Sequence, residues 1–248
     1  MATTHPTGLR SPVRRSAGVR LLDRYFYFFM SLLIAAVVIY GFGQTVSGNL
    51  LNASPPRPLL LYFHGACFSA WVAFFIFQSA LVRTHNVRIH KLMGWFGAAL
   101  GAAMVVLGYS IAVIMGRFNL HVLHQASAVK FLIVPFSDIG IFFVVFALAI
   151  SWRKRPELHR RLMLVATCVL TSAAFGRFPN HFPPPLDFYY GVDLLIFLGV
   201  LRDLIVNRHV HKVYIYALPA LFACQAAIIQ VITHPPALWL RISGAILG

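Results

Sequence analysis

An all-α, polytopic transmembrane bundle of about seven helices, with its N-terminus inside, is what the sequence predicts, and three observations carry that prediction. The first is the placement of charge. Sixteen of the 21 Lys and Arg fall in four clusters that alternate with nearly uncharged apolar stretches. The clusters are Arg10, Arg14, Arg15, Arg20 and Arg24; Arg83, Arg88 and Lys91; residues 153–155 with Arg160 and Arg161; and Arg202, Arg208 and Lys212. Arg57, Arg117, Lys130, Arg177 and Arg241 form the minority set. Lys and Arg are retained on the cytoplasmic side during insertion, so the larger set is expected inside and the C-terminus outside. The second observation is composition: 11% of residues are charged, against about 25% in soluble domains, and only six are acidic. The third is length, since most apolar stretches reach the roughly 20 residues needed to cross hydrocarbon as a helix.

In chain order, residues 1–23 read as a basic, disordered cytoplasmic arm, rich in Thr, Ser, Pro and Arg. Residues 24–248 read as a single transmembrane helical domain. The expected spans are 25–43, 58–82, 92–116, 126–152, 162–176, 188–206 and 213–232. The first is longer than a signal-peptide core and reads as a retained anchor. Two are weak: the fifth is short, between Arg161 and Arg177, and the sixth is interrupted by Asp193 and closed by Arg202 and Asp203. Both are expected to be shielded by neighbouring helices. Trp95 and Trp152 fall at the inner interface, and Tyr189, Tyr190 and Trp239 at the outer one, as aromatic belts require.

A net charge of +15 would suggest nucleic acid in a soluble chain. Here it sits in short loops beside apolar spans, where orientation and anionic headgroups account for it. No nucleic-acid partner is expected; the lipid bilayer is. Cys67, Cys168 and Cys224 all lie inside spans, without CxxC, CxxCH or an even-numbered framework, which removes thiol redox chemistry, c-type haem attachment and a disulfide scaffold. Asn52-Ala53-Ser54 matches the glycosylation tripeptide, a pattern that chance produces often.

Histidine carries the functional signal. Eleven His stand among few polar residues, and the topology divides them. His64, His121, His124, His181 and His234 lie toward the outside; His85, His90, His159, His209 and His211 lie at inner helix ends, with His5 in the arm. Neutral imidazole suits iron or copper in an apolar place because its ligating form carries no charge to desolvate. His64 lies well inside the second span, where a polar group requires a partner. His124, with His121 three residues before it, could reach its level if the fourth helix begins early. At the inner face, Ile89-His90-Lys91-Leu92-Met93 and Leu158-His159-Arg160-Arg161-Leu162-Met163 each open a helix running outward. Each also has a structural reading: a hydrogen-bonded core His for His64, solvated helix-end anchors for the inner pair.

Asp138 is the other expensive residue, near the middle of the fourth span just after Pro135. It reads either as a proton relay or as a neutral carboxyl bonded to the carbonyl that Pro135 frees. Arg177, ahead of the proline-rich run 178–185, could bind a carboxylate, a haem propionate or a quinone oxygen, or snorkel to headgroups.

The segments 64–78 (HGACFSAWVAFFIFQ), 87–95 (VRIHKLMGW), 159–167 (HRRLMLVAT) and 176–178 resemble a broad group of bacterial multi-His polytopic membrane proteins, a domain of unknown function. Members carry comparable "H…W…Q", "HxxxGW" and "HRRLM" stretches. More distantly, the pattern looks like membrane b-type cytochromes and haem-handling or oxidase-assembly proteins. That likeness implies paired ligands on facing helices at equal depth.

Three expectations follow. One is a haem b electron carrier of the bacterial inner membrane that exchanges electrons with quinone or a respiratory-chain protein, with His64 and His124 on one iron, His90 and His159 on another, and no metal beyond haem iron. A second is a non-catalytic assembly factor or accessory subunit whose His are structural. A membrane di-metal oxidase ranks last, because the His are split between faces and acids are few.

Overall fold

Apolar stretches flanked by turn residues and cations fold here into helices throughout. The computed structural model describes residues 16–179 and 187–248. In order they form α1 (Ala17–Gly43), α2 (Leu59–Arg83), α3 (Val87–Arg117), α4 (Ser127–Phe131), α5 (Ile133–Ser151), α6 (Pro156–Val169), α7 (Ser172–Phe175), α8 (Asp187–Asn207), α9 (Lys212–Thr233) and α10 (Ala237–Leu247). Five-residue π turns follow α1 at Ser47–Leu51 and extend α3 at Phe118–Val122. No strand occurs among the described residues. Six segments are long and apolar enough to cross a membrane: α1, α2, α3 with its π turn, α4 with α5, α6 with α7, and α9. The chain is an all-α, multi-pass membrane protein.

The breaks between helices have local causes. Pro135 has no N–H to give to Phe131, and the helix is interrupted three residues earlier, between α4 and α5 at Leu132. Between α6 and α7, the Thr171 hydroxyl bonds back to the Cys168 carbonyl at 2.6 Å, and the Thr171 N–H reaches the same oxygen at 2.9 Å, which tightens the turn and ends the α-helical register. Residues 1–15 of the predicted arm lie outside the described residues. Residues 17–23, read as disordered from composition, already belong to α1, whose start is capped by the Ser16 hydroxyl accepting from the Val19 N–H.

α8 is absent from the six because Asp193, Arg202 and Asp203 interrupt its apolar run. It nevertheless crosses the bundle, as a parity argument shows. The loops at residues 84–86, 152–155 and 208–211 share one end of the molecule, the basic end, because His90 of α3 meets His159 of α6 there, and Arg161 of α6 meets Asp203 of α8. At the far end, α10 lies against the end of α3: Arg117 donates two N–H groups to the Ile246 carbonyl at 3.2 and 2.9 Å, and His121 bonds the Leu247 carbonyl at 2.9 Å. Between α3 and α10 the chain must therefore cross an even number of times. The segments α4–α5, α6–α7 and α9 supply three crossings, so α8 supplies the fourth.

The core sits on α6. Its segment is 61% buried, against 11% to 33% for the other five, and Leu164, Val165, Ala166 and Cys168 have no exposure. α1, α5, α8 and α9 surround it, so the fifth span is shielded as expected, whereas α8 buries Arg202 and Asp203 but keeps one apolar face, with Tyr190, Leu194 and Phe197, exposed. Outward faces carry exposed apolar side chains such as Phe29, Phe63, Val106 and Phe143, which suits lipid. Close helix approach depends on glycine: a Cβ at Gly41 of α1 would collide with the Ala174 carbonyl of α7, and one at Gly199 of α8 with the Tyr214 ring of α9.

Candidate functional site

At the basic end, His90 and His159 each occupy the fourth position of their helix, α3 and α6. Their ring centroids are 6.3 Å apart with planes inclined at 71°. His159 Nδ1 donates to the Ala149 carbonyl of α5 at 2.8 Å, because a carbonyl can only accept. That bond fixes the tautomer and leaves Nε2 with its lone pair, the arrangement usual for ligating histidines. His90 Nδ1 is buried and has no hydrogen-bond partner among the described residues. Both polar atoms of the Gln78 amide, near the same end of α2, are likewise buried and unpartnered. Met163, one turn beyond His159, packs against the two largest apolar clusters. Two imidazoles on one metal, with bonds near 2.0 Å, place their ring centroids roughly 6 Å apart. The observed separation fits an ion shared by the two rings, and Nε2 of His159 and the buried, unpartnered Nδ1 of His90 supply donors of the right kind.

The far end differs. His64, the sixth residue of α2, packs its ring on Phe68 at 4.1 Å, and its Nδ1 is buried without a partner among the described residues. The fourth segment begins only at Ser127, so His124 stays in the preceding turn, at φ 55° and exposed to solvent. His121, in the π turn of α3, is taken up by α10. The early start of the fourth segment, on which the expected His64–His124 pair depended, does not occur. His5 and His181 lie outside the described residues, as do 180–186 of the proline-rich run.

Arg177 follows α7. Its Nε donates to the Thr45 hydroxyl at 3.1 Å, its Nη1 donates to the Ala173 carbonyl, and its guanidinium lies 4.3 Å over the Phe42 ring. Burial pulls its pKa below the usual arginine value.

Asp138, 7% exposed on α5, accepts from the Ser172 hydroxyl at 2.5 Å and from the Tyr189 hydroxyl at 3.2 Å. The carbonyl freed by Pro135 is not its partner; two hydroxyls from the next helices are. Asp193 accepts from the Gln225 amide at 2.9 Å. Trp71 of α2 stands between the two ends, edge-on to Phe142 and Phe146, each 5.5 Å away.

An ionic network at the basic end went unread in the sequence. Asp203, fully buried on α8, accepts from Arg161 Nε at 2.8 Å and Nη2 at 2.6 Å, from Arg202 Nη1 at 2.7 Å and from Asn207 at 3.1 Å. Arg202 also pairs with Asp23 of α1, and Arg161 with Glu157. The acids held a usable signal: three of the chain's six, Asp23, Glu157 and Asp203, fall beside the cationic clusters.

Among the described residues no three His, Cys, Asp or Glu side chains converge on a point that could hold a metal ion. Two-ligand chemistry at His90 and His159 is what the arrangement allows. Comparison with known protein families, with curated proteins and with solved structures found no match to this chain.

Proposed function

We propose that the protein is a haem b-binding electron carrier of the bacterial inner membrane, exchanging electrons with quinone, and that His90 and His159 are the axial pair of one haem. The observation that carries this reading is the facing of the two rings at 6.3 Å, with His159 oriented by the Ala149 carbonyl. Bound haem would supply one-electron chemistry at a potential tuned by its axial imidazoles. The residues of the chain orient and shield. Ala149 holds the His159 tautomer, and Met163 and the aliphatic residues of α6 keep water from its inner side. The Arg161 and Arg202 network ties α6 to α1 and α8, so that His159 is presented from a fixed helix. This reading takes up one haem of the two expected, at the pair whose rings face each other.

The second reading, an assembly factor or accessory subunit with structural His, is favoured by His121 and His211. The first clamps a carbonyl, and the second caps α9 by accepting from the Val213 N–H at 3.2 Å. A reduced-minus-oxidised absorption spectrum of the purified protein separates the two. A haem band lost in both His90→Ala and His159→Ala, and kept in His124→Ala and His209→Ala, is the expected result. Wild-type protein without a haem band would leave the second reading in its place.

A further inference from the structure

We propose that the lipid-facing groove between α3 and α5 is a binding site for an anionic phospholipid, with one acyl chain in the groove and the phosphate between Lys91 and Arg153. The site is independent of the haem reading and goes beyond it.

The groove follows from a close helix approach. Gly101 of α3 receives the Phe146 ring of α5, and a Cβ added at Gly101 would lie 2.4 Å from that ring. Beside this contact the side chains of Ala98, Ala102 and Ala147 are short. They leave an open trough of about 530 Å³ along the surface, walled also by Val106, Phe143 and Ile150. That volume falls within the ~300–1,000 Å³ of ligand pockets. Ser151, at the basic end of the trough, donates its hydroxyl to the Ala147 carbonyl at 2.8 Å, so its proton is spent within the helix. An apolar trough open to hydrocarbon is suited to an acyl chain.

Charge selects the lipid. On α3 the groove face continues toward the basic end through Ala102, Ala98, Trp95 and Lys91, in steps of three or four residues. On α5 the matching stripe of Phe143, Ala147 and Ile150 runs out at the helix end, and Arg153 follows in the turn, its Nη1 donating to the Ile150 carbonyl at 3.2 Å. The two stripes meet there, because the Arg153 guanidinium lies 5.4 Å over the Trp95 ring. The groove therefore ends in an exposed tryptophan at headgroup level, flanked by two cations. Lys91 and Arg153 are both exposed, and neither pairs with a carboxylate among the described residues. A zwitterionic headgroup brings its own cation beside the phosphate, whereas an anionic one leaves that charge for the protein. The basic end is the one expected to face the cytoplasm, whose leaflet holds anionic lipid, and basic pockets between helices on that side recognise such headgroups. Free phosphate would meet the same cations but has nothing to place in an apolar trough.

The test is native mass spectrometry of the full chain, delipidated in detergent and titrated with phosphatidylglycerol and phosphatidylcholine in equal amounts. Phosphatidylglycerol should be retained in preference. Lys91→Ala and Arg153→Ala should each weaken it about fivefold, as one cation near a headgroup predicts, and leave phosphatidylcholine unchanged. Ala102→Leu combined with Ala147→Leu fills the trough without touching the cations and should weaken both lipids. Lys212→Ala, in another basic loop, should bind as wild type, and excess inorganic phosphate should not displace the lipid. Thermal melts establish that each variant is folded; all the substituted side chains are exposed. Equal retention of the two lipids overturns the proposal, as does wild-type binding by the folded, trough-filled variant. An equal loss in Lys212→Ala would reduce the effect to general surface charge, and displacement by inorganic phosphate would make it an anion site without a tail; either result also overturns it. None of these outcomes depends on a haem band.

Discussion

Removing the Asp138 carboxyl would orphan two donors at once, because the Ser172 and Tyr189 hydroxyls both end on it and both residues are 4% exposed. A lone carboxyl in hydrocarbon would be a burden that leucine relieves. Here each abandoned buried donor costs about 1–3 kcal/mol, which outweighs the packing gained. Asp138→Leu should therefore lower the melting temperature in detergent, and Asp138→Asn, which keeps a carbonyl oxygen, should lower it less. A rise with leucine would show that the carboxyl is tolerated for function rather than held for structure. The histidines divide by the same accounting of partners. His121, His159 and His211 each satisfy a backbone group, whereas His64 and His90 keep a buried nitrogen free. His211 sits in a short cationic loop and reads there as solvated, yet it caps α9.

At the scale of elements, the ends of α1, α6 and α8 are joined through charge. Asp203 has no exposure and two guanidinium partners, so Asp203→Ala takes the one fully buried carboxylate from both, leaving Arg161 the exposed Glu157 and Arg202 the partly exposed Asp23, and should cost about 3–5 kcal/mol. Glu157 also pairs with Arg161, but its side chain is 58% exposed, and Glu157→Ala should cost about 0–1 kcal/mol. Thermal unfolding of both variants in one detergent checks the contrast, and equal losses would remove the network from the account of stability. Element type and order were legible from apolar length and charge, because each helix must satisfy its own backbone in lipid. The environment of Arg161 was not. Arg160 and Arg161 are adjacent in the sequence but about 100° apart around α6, so Arg160 stays half-exposed while Arg161 points into α8. A run of cations states which end of a helix is basic and is silent about which member turns inward. His90 and His159 could be paired in advance because similar motifs open two helices running the same way. His124 could not be placed, since its position depended on where α4 begins, and no residue between His121 and Ser127 marks that start.

For the molecule as a whole, the even number of crossings between α3 and α10 and the charge distribution make one claim together. The basic end, with Asn86, Lys154 and His209 in its loops, should face the cytoplasm, and Gln125 and Arg241 should face outward. The weak member is α8, whose Arg202 and Asp203 would exclude it from any hydropathy count. Its polar groups are tolerable because they are paired inside the bundle, so its crossing depends on tertiary contacts that form after its neighbours are inserted. Single cysteines at 86, 154, 209, 125 and 241, in a background lacking Cys67, Cys168 and Cys224, test this with an impermeant thiol reagent on intact cells. Labelling is expected at 125 and 241 alone, with 86, 154 and 209 reacting only after the membrane is opened. If 209 labelled from outside while 154 did not, α8 would not cross, and α10 could not lie on the same face as the end of α3. Reversal at all five positions would keep the fold and invert it, against 16 cations to 5.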